Sequence, residues 1–177
     1  MNSDSDTAEI NLLAHYLRGA IISSYAHVEF VLTDLNIHCR SLPAYAEIAS
    51  GFPYKLDSKI ARTKELVAAN APLRAYADDV LSLVDRISAY EDNRHFITHG
   101  QIVVSTQDTA PTPIVFRMYR PGKKDMPEEF GEVQIDIDQL AKLGRETAEY
   151  CHQIVTLFER IYRKLSLQPA KLLEPNF

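Results

Sequence analysis

Three shortages mark this sequence: few cysteines, no surplus of positive charge and no long apolar run. Cys39 and Cys151 are the two cysteines among 177 residues. That is too few for a disulfide framework, so reduced thiols in a cytoplasmic protein are expected. The formal net charge is -5 and the sequence pI is near 5.7. No bulk basic field draws nucleic acid, and any such interaction has to come from a local site. No window comes near the roughly 18 uncharged apolar residues a membrane span needs. Residues 1–9 are polar and acidic, without the basic start and apolar stretch of a signal peptide. The remainder is ordinary for a globular chain, 46% hydrophobic and 24% charged. Its length suits one domain with a proper core and is short for two.

Taken in order, residues 1–7 are expected as a disordered tail, with Asp6 or Thr7 as an N-cap. A single helical domain is expected over residues 8–168, and residues 169–177 as a C-terminal tail. The first helix runs from Ala8 to about His38. Leu13, Leu17, Ala20, Ser24, Val28, Val31 and Leu35 recur at spacings of three and four, the mark of one buried face. Ile21, Ile22, Phe30 and Leu32 broaden it, so the helix is central in a bundle or lies at a subunit interface. Pro43, Gly51 and Pro53 mark a connection, with a short helical turn over 44–49. Asp57 or Ser58 then caps a second helix to about Asn70. A third starts near Pro72 and carries Tyr76, Leu83, Tyr90 and Ile97 in one column, with Val80, Ile87 and Arg94 in the next. After Gly100 the pattern turns to strands: Gln101 to Ser105, Ile114 to Arg120, and Glu132 to Ile137. Asp136 or Asp138 caps a last helix whose inner face is Leu140, Leu143, Thr147, Cys151, Ile154, Phe158, Ile161 and Leu165. The expected fold is all-α: four main helices in a bundle, with a small β insertion over about 101–137 before the last.

The stretch from Tyr90 to Gly100 gathers the groups able to do chemistry. It places Arg94, His95 and His99 at the end of the third helix. Arg94 falls where the periodicity predicts an apolar residue, and a charge there is costly unless paired or used. His95 and His99 lie one turn apart on one helix face. Arg94 and His99 are roughly 140° apart at about 100° per residue, a gap a long side chain or a loosened helix end can close. A guanidinium holds a phosphate bidentately and stabilises charge that builds on it. An imidazole titrates near neutrality and serves as acid or base toward a ribose 2′-hydroxyl. RNA supplies that hydroxyl as its own nucleophile.

Arg94-His95-Phe96-Ile97-Thr98-His99 resembles the Arg-x4-6-His motif of HEPN domains (higher eukaryotes and prokaryotes nucleotide-binding). In that family the residue after the arginine is usually polar, and His95 fits. The order of a long first helix, a motif at the end of a later helix and a closing helix is also similar. The resemblance implies a metal-independent endoribonuclease with no cofactor, acting on RNA as a homodimer whose two motifs meet at one cleft. It further implies a toxin with a cognate antitoxin protein, or a phage-defence component. The catalytic residues would be Arg94, His99 and His95, with Glu29, Asp92 and Asn93 in support. The β insertion is no part of the minimal bundle. The alternative is a non-catalytic HEPN-like module that dimerises and binds a partner protein or nucleotide. In a plainer reading Arg94 pairs with Glu91 or Asp92, while His99 caps the helix C-terminus.

Other constellations compete. Asp92 with His95 and Glu149 with His152 have the carboxylate-x-x-His spacing of two-metal bundles, where Glu29 and Glu65 would complete the set. Glu149 and His152 lie off the apolar seam, against a shared core site. Lys55, Lys59, Arg62 and Lys64 form a basic run that either guides RNA or is a solvated helix face. Tyr90 and Phe96 are core residues first and stacking partners second. Cys39 and Cys151 are expected to be structural.

Overall fold

A computed structural model describes residues 3–89, 91–104, 112–120 and 129–167, and within them all side chains except those of 3–5, 88–93 and 120. The described chain is mostly helical, in the order α1 (Ser3–Cys39), the 3-10 turn η1 (Pro43–Tyr45), α2 (Leu56–Ala68), the 3-10 turn η2 (Pro72–Tyr76), α3 (Ala77–Ala89), α4 (Glu91–His99), three strands, and α5 (Ile137–Leu165). The described residues thus hold five α-helical segments, α3 and α4 lying on either side of Tyr90 within the expected third helix. The third expected helix begins as the 3-10 turn η2 and is described on both sides of Tyr90, itself outside the described residues. α1 is helical from Ser3, ahead of the expected start at Ala8. α2 has Lys55 rather than Asp57 or Ser58 at its N-cap, without a side-chain cap.

The β insertion is a three-stranded antiparallel sheet, β1 (Gln101–Val104), β2 (Ile114–Arg120) and β3 (Glu129–Ile135), in the order β1-β2-β3. Its register sets Gln101 opposite Arg117 and Arg117 opposite Glu132. Arg117 Nε donates to Glu132 Oε2 at 2.9 Å, and the facing Tyr119 and Phe130 rings lie 5.3 Å apart. Such opposed pairs stabilise a sheet across its strands. The long loop after β1 and the expected turn at Pro121-Gly122-Lys123-Lys124 fall almost wholly outside the described residues, as does the 169–177 tail.

α5 starts on a reciprocal cap: Gln139 N donates to Asp136 Oδ1 at 2.7 Å, and Asp136 N donates to Gln139 Oε1 at 2.9 Å. Two orphan donors are satisfied at once, which is why the helix begins here. Of its expected inner face, Leu140, Thr147, Cys151, Ile154, Phe158 and Ile161 are buried, while Leu143 and Leu165 are half-buried.

The chain divides into two compact units, Met1–Tyr25 with Ala89–Glu149, and Ala26–Ser88 with Tyr150–Phe177. In the first, Ala14, Ile21 and Tyr25 of α1 form a core with Ile97 of α4, Ile114 and Phe116 of β2, and Leu140 of α5. In the second, Tyr45 is wholly buried and its hydroxyl accepts from Leu73 N at 2.6 Å, tying η1 to η2. Tyr150 there donates its hydroxyl to Leu83 O at 2.8 Å. No helix among the described residues is long and apolar enough to cross a membrane.

Candidate functional site at the end of α4

α4 ends because Gly100 follows His99. Gly100 N donates to Phe96 O at 2.8 Å, the last bond of the helical ladder. A Cβ at Gly100 would collide with that same carbonyl oxygen, so only glycine allows β1 to start at the next residue. The middle of the motif is core. Ile97 is 3% exposed, and Phe96 packs so closely on β3 that a Cβ on Gly131 would lie 2.9 Å from its ring. Phe96 therefore anchors α4 to the sheet, as its core assignment anticipated.

With Phe96 and Ile97 fixed inward, the polar residues of the motif fall on the other side. His95 is half-buried and His99 exposed. Their rings meet edge to face, with centroids 5.1 Å apart and planes at 66°. The i, i+4 spacing thus brings the two imidazoles together. Arg94 is half-buried and its Nε is shielded from solvent, consistent with its place on a stripe that is otherwise apolar. Asp92 and Asn93 belong to α4, but their side chains lie outside the described ones, as do those of Glu91 and Tyr90.

One residue of this site has no counterpart in the sequence reading. Arg18 of α1 donates from Nε to Ile97 O at 2.8 Å and from Nη2 to Thr98 O at 3.1 Å. The last carbonyls of a helix lack intrahelical donors and carry the negative end of its dipole. A guanidinium supplies both donors and opposite charge. Its only sequence signal is a long cation between Leu17 and Ile21 in an otherwise apolar stretch. The end of α4 therefore brings together two guanidinium groups, Arg18 and Arg94, and two imidazoles, His95 and His99.

Glu29, the basic run and His152 belong to the second unit, Glu149 to the first. Glu29 receives Lys59 Nζ at 3.2 Å. Lys64 Nζ is 2.6 Å from Asp85, and Arg62 Nε is 3.4 Å from Glu65. The basic run is thus mostly paired. His152 is exposed and lines a cavity of about 480 Å³, beside Asp79 and Arg160, which pair at 2.5 Å. No group of three or more His, Cys, Asp or Glu is placed to hold a metal ion among the described residues. Both cysteines are buried and free, and burial pushes both thiols up, Cys39 to about 12. Neither has the lowered pKa of a nucleophile.

The chain matches no protein-family model, no curated protein and no solved structure.

Proposed function

We propose that this chain is a metal-independent endoribonuclease of HEPN type, acting as a homodimer. The observation that carries this reading is the facing pair His95 and His99 at the end of α4, with Arg94 next to His95 in the chain. In this reading one imidazole takes the proton of a ribose 2′-hydroxyl as its oxygen attacks the adjacent phosphorus. The leaving 5′-oxygen receives a proton from a second acid, and the products are a 2′,3′-cyclic phosphate and a 5′-hydroxyl. His99, the more exposed, is the acid or base; His95 supports it; Arg94 lends charge to the phosphate. Arg18 acts as a positioning residue that holds the helix end.

Exposed apolar side chains on the same unit support the homodimer. Leu12 is 73% exposed and Tyr16 72%, an apolar edge on α1 that a second copy would cover. Cellular roles as a toxin with a protein antitoxin, or in phage defence, follow from the same resemblance.

The burial of Arg94 Nε favours a second reading, in which the motif serves the fold and the chain is a non-catalytic dimerisation or binding module. Cleavage of a mixed RNA by purified protein in EDTA, wild type beside His99→Ala, separates the two. Cleavage by wild type alone supports the nuclease. A stable dimer that cleaves nothing moves the assignment to the binding module, and cleavage by both proteins sinks the assignment to this site.

A further inference from the structure

In the second unit, the segment between η1 and α2 is held from beneath by two arginines. Arg40 donates from Nε to Ala49 O at 3.0 Å and from Nη2 to Gly51 O. Arg62 donates from Nη1 to Ser50 O at 2.8 Å. Three consecutive carbonyls are therefore fixed by guanidinium groups, and Gly51 takes a left-handed φ of 74° that suits glycine. The loop is preformed, so a ligand meets it at little ordering cost.

What this scaffold presents is two aromatic rings turned to solvent. Phe52 is 44% exposed and Tyr54 83%, and their centroids lie 5.0 Å apart at 60°. Tyr54 gains little of the burial that ordinarily accounts for an aromatic side chain, and Phe52 only about half of it. Together with Lys55, Ser58 and Arg62 they line a concavity of about 520 Å³, within the range of small-ligand pockets. Charge here runs against the rest of the chain. Residues 40–65 hold five Lys and Arg against three Asp and Glu, in a protein of net charge -5. Lys55 is exposed and has no ion-pair partner among the described residues.

Exposed π-faces beside cations suit a flat ring that carries negative charge. Base–aromatic stacking tolerates any base, and a nearby cation takes the phosphate. We propose that the Phe52–Tyr54 pocket binds a nucleobase bearing a phosphate, supplied as a free mononucleotide or by single-stranded RNA. Tyr54, the more exposed ring, stacks on the base with Phe52 edge-on beside it, while Lys55 meets the phosphate and Ser58 adds a hydroxyl donor.

The test uses the full chain carrying His99→Ala, so that RNA survives and the readout is binding alone. Fluorescence anisotropy follows labelled oligouridylate and oligoadenylate of about eight nucleotides, a typical single-strand site size. Calorimetry follows AMP and UMP, with pyrophosphate as a probe of charge alone. Tyr54→Ala and Phe52→Ala are each expected to weaken binding about tenfold, a size in keeping with lost stacking, and Tyr54→Phe to retain it. Lys55→Glu is expected to weaken it and flatten its salt dependence. Both rings are exposed, so these variants fold, and far-UV circular dichroism verifies it. Saturation by mononucleotides as tight as by oligomers assigns a free nucleotide; binding of oligomers alone assigns RNA. Absence of binding by any nucleotide or oligomer overturns the proposal, as does binding indifferent to Tyr54→Ala, or pyrophosphate binding as tight as AMP. The wild-type cleavage assay is a separate readout, so an inactive protein that still binds through Tyr54 refutes the nuclease and leaves this pocket standing.

Discussion

Cys39 shows how a single buried group couples stability to pH. Its thiol ordinarily titrates near 9.0 and burial raises it to about 12. Below pH 9 folded and unfolded chains both hold the proton, and the contribution is fully present. Above it the unfolded chain releases the proton while the fold retains it, so stability falls as pH rises toward 12. The slope is at most about 1.4 kcal/mol per pH unit for one group. Tyr162 acts in the same direction, raised by burial and by the carboxylate of Asp34 beside it. Urea midpoints should therefore drop with pH above 9, and drop less steeply in Cys39→Ala. Nearby, His38 Nε2 stands 3.3 Å from Asp34 Oδ1, near enough for an ion pair when the imidazole is protonated. Tyr45 makes a second case. Tyr45→Phe removes the acceptor of the buried Leu73 N–H at almost no change of volume, and should cost about 1–3 kcal/mol in chemical denaturation. An unchanged midpoint would mean that water replaces the hydroxyl.

At the scale of elements, α1 shows how a sequence pattern can point to a neighbouring face. The spacing favoured Leu13, Leu17, Ala20 and Ser24, yet Leu13 is 43% exposed, while Ala14, Ile21 and Tyr25 are buried. The buried stripe is displaced by one residue in this half of the helix. Both registers are apolar, so α1 alone cannot choose; packing against α4, β2 and α5 does. From Val28 onward the expected Val28, Val31, Leu32 and Leu35 are buried as read, whereas Phe30, expected to broaden that face, is 62% exposed. α4 was legible as a helix end with two facing imidazoles, because i, i+4 spacing and a following glycine are local signals. Arg18 was not, because its partners Ile97 O and Thr98 O lie about eighty residues on. Arg18→Ala should leave both carbonyls without those donors, cost about 1–3 kcal/mol in stability and, on the proposed nuclease reading, lower RNA cleavage more than Arg18→Lys does. If Arg18→Ala melts like wild type, the latch contributes nothing.

At the scale of the molecule, the proposed homodimer makes a prediction of its own. Leu12 and Tyr16 are the most exposed large apolar side chains of α1, and a charge among them would be buried unpaired in an interface. Tyr16→Glu should shift the protein toward monomer in light scattering while its circular dichroism stays unchanged. A variant that remains dimeric places the interface elsewhere.

By itself the sequence determined the helical class, the three strands before the last helix, the inner face of α5 and the position of the Arg94–His99 motif. Each of these is written in periodicity, capping or spacing within a few residues, where local sterics and burial decide. Only the tertiary structure decided which face of α1 is buried near its start, the role of Arg18 at the end of α4, and the loop that exposes Phe52 and Tyr54. The face depends on packing between distant segments. The other two depend on hydrogen bonds to backbone carbonyls, and a carbonyl is present at every residue, so no side-chain pattern marks it.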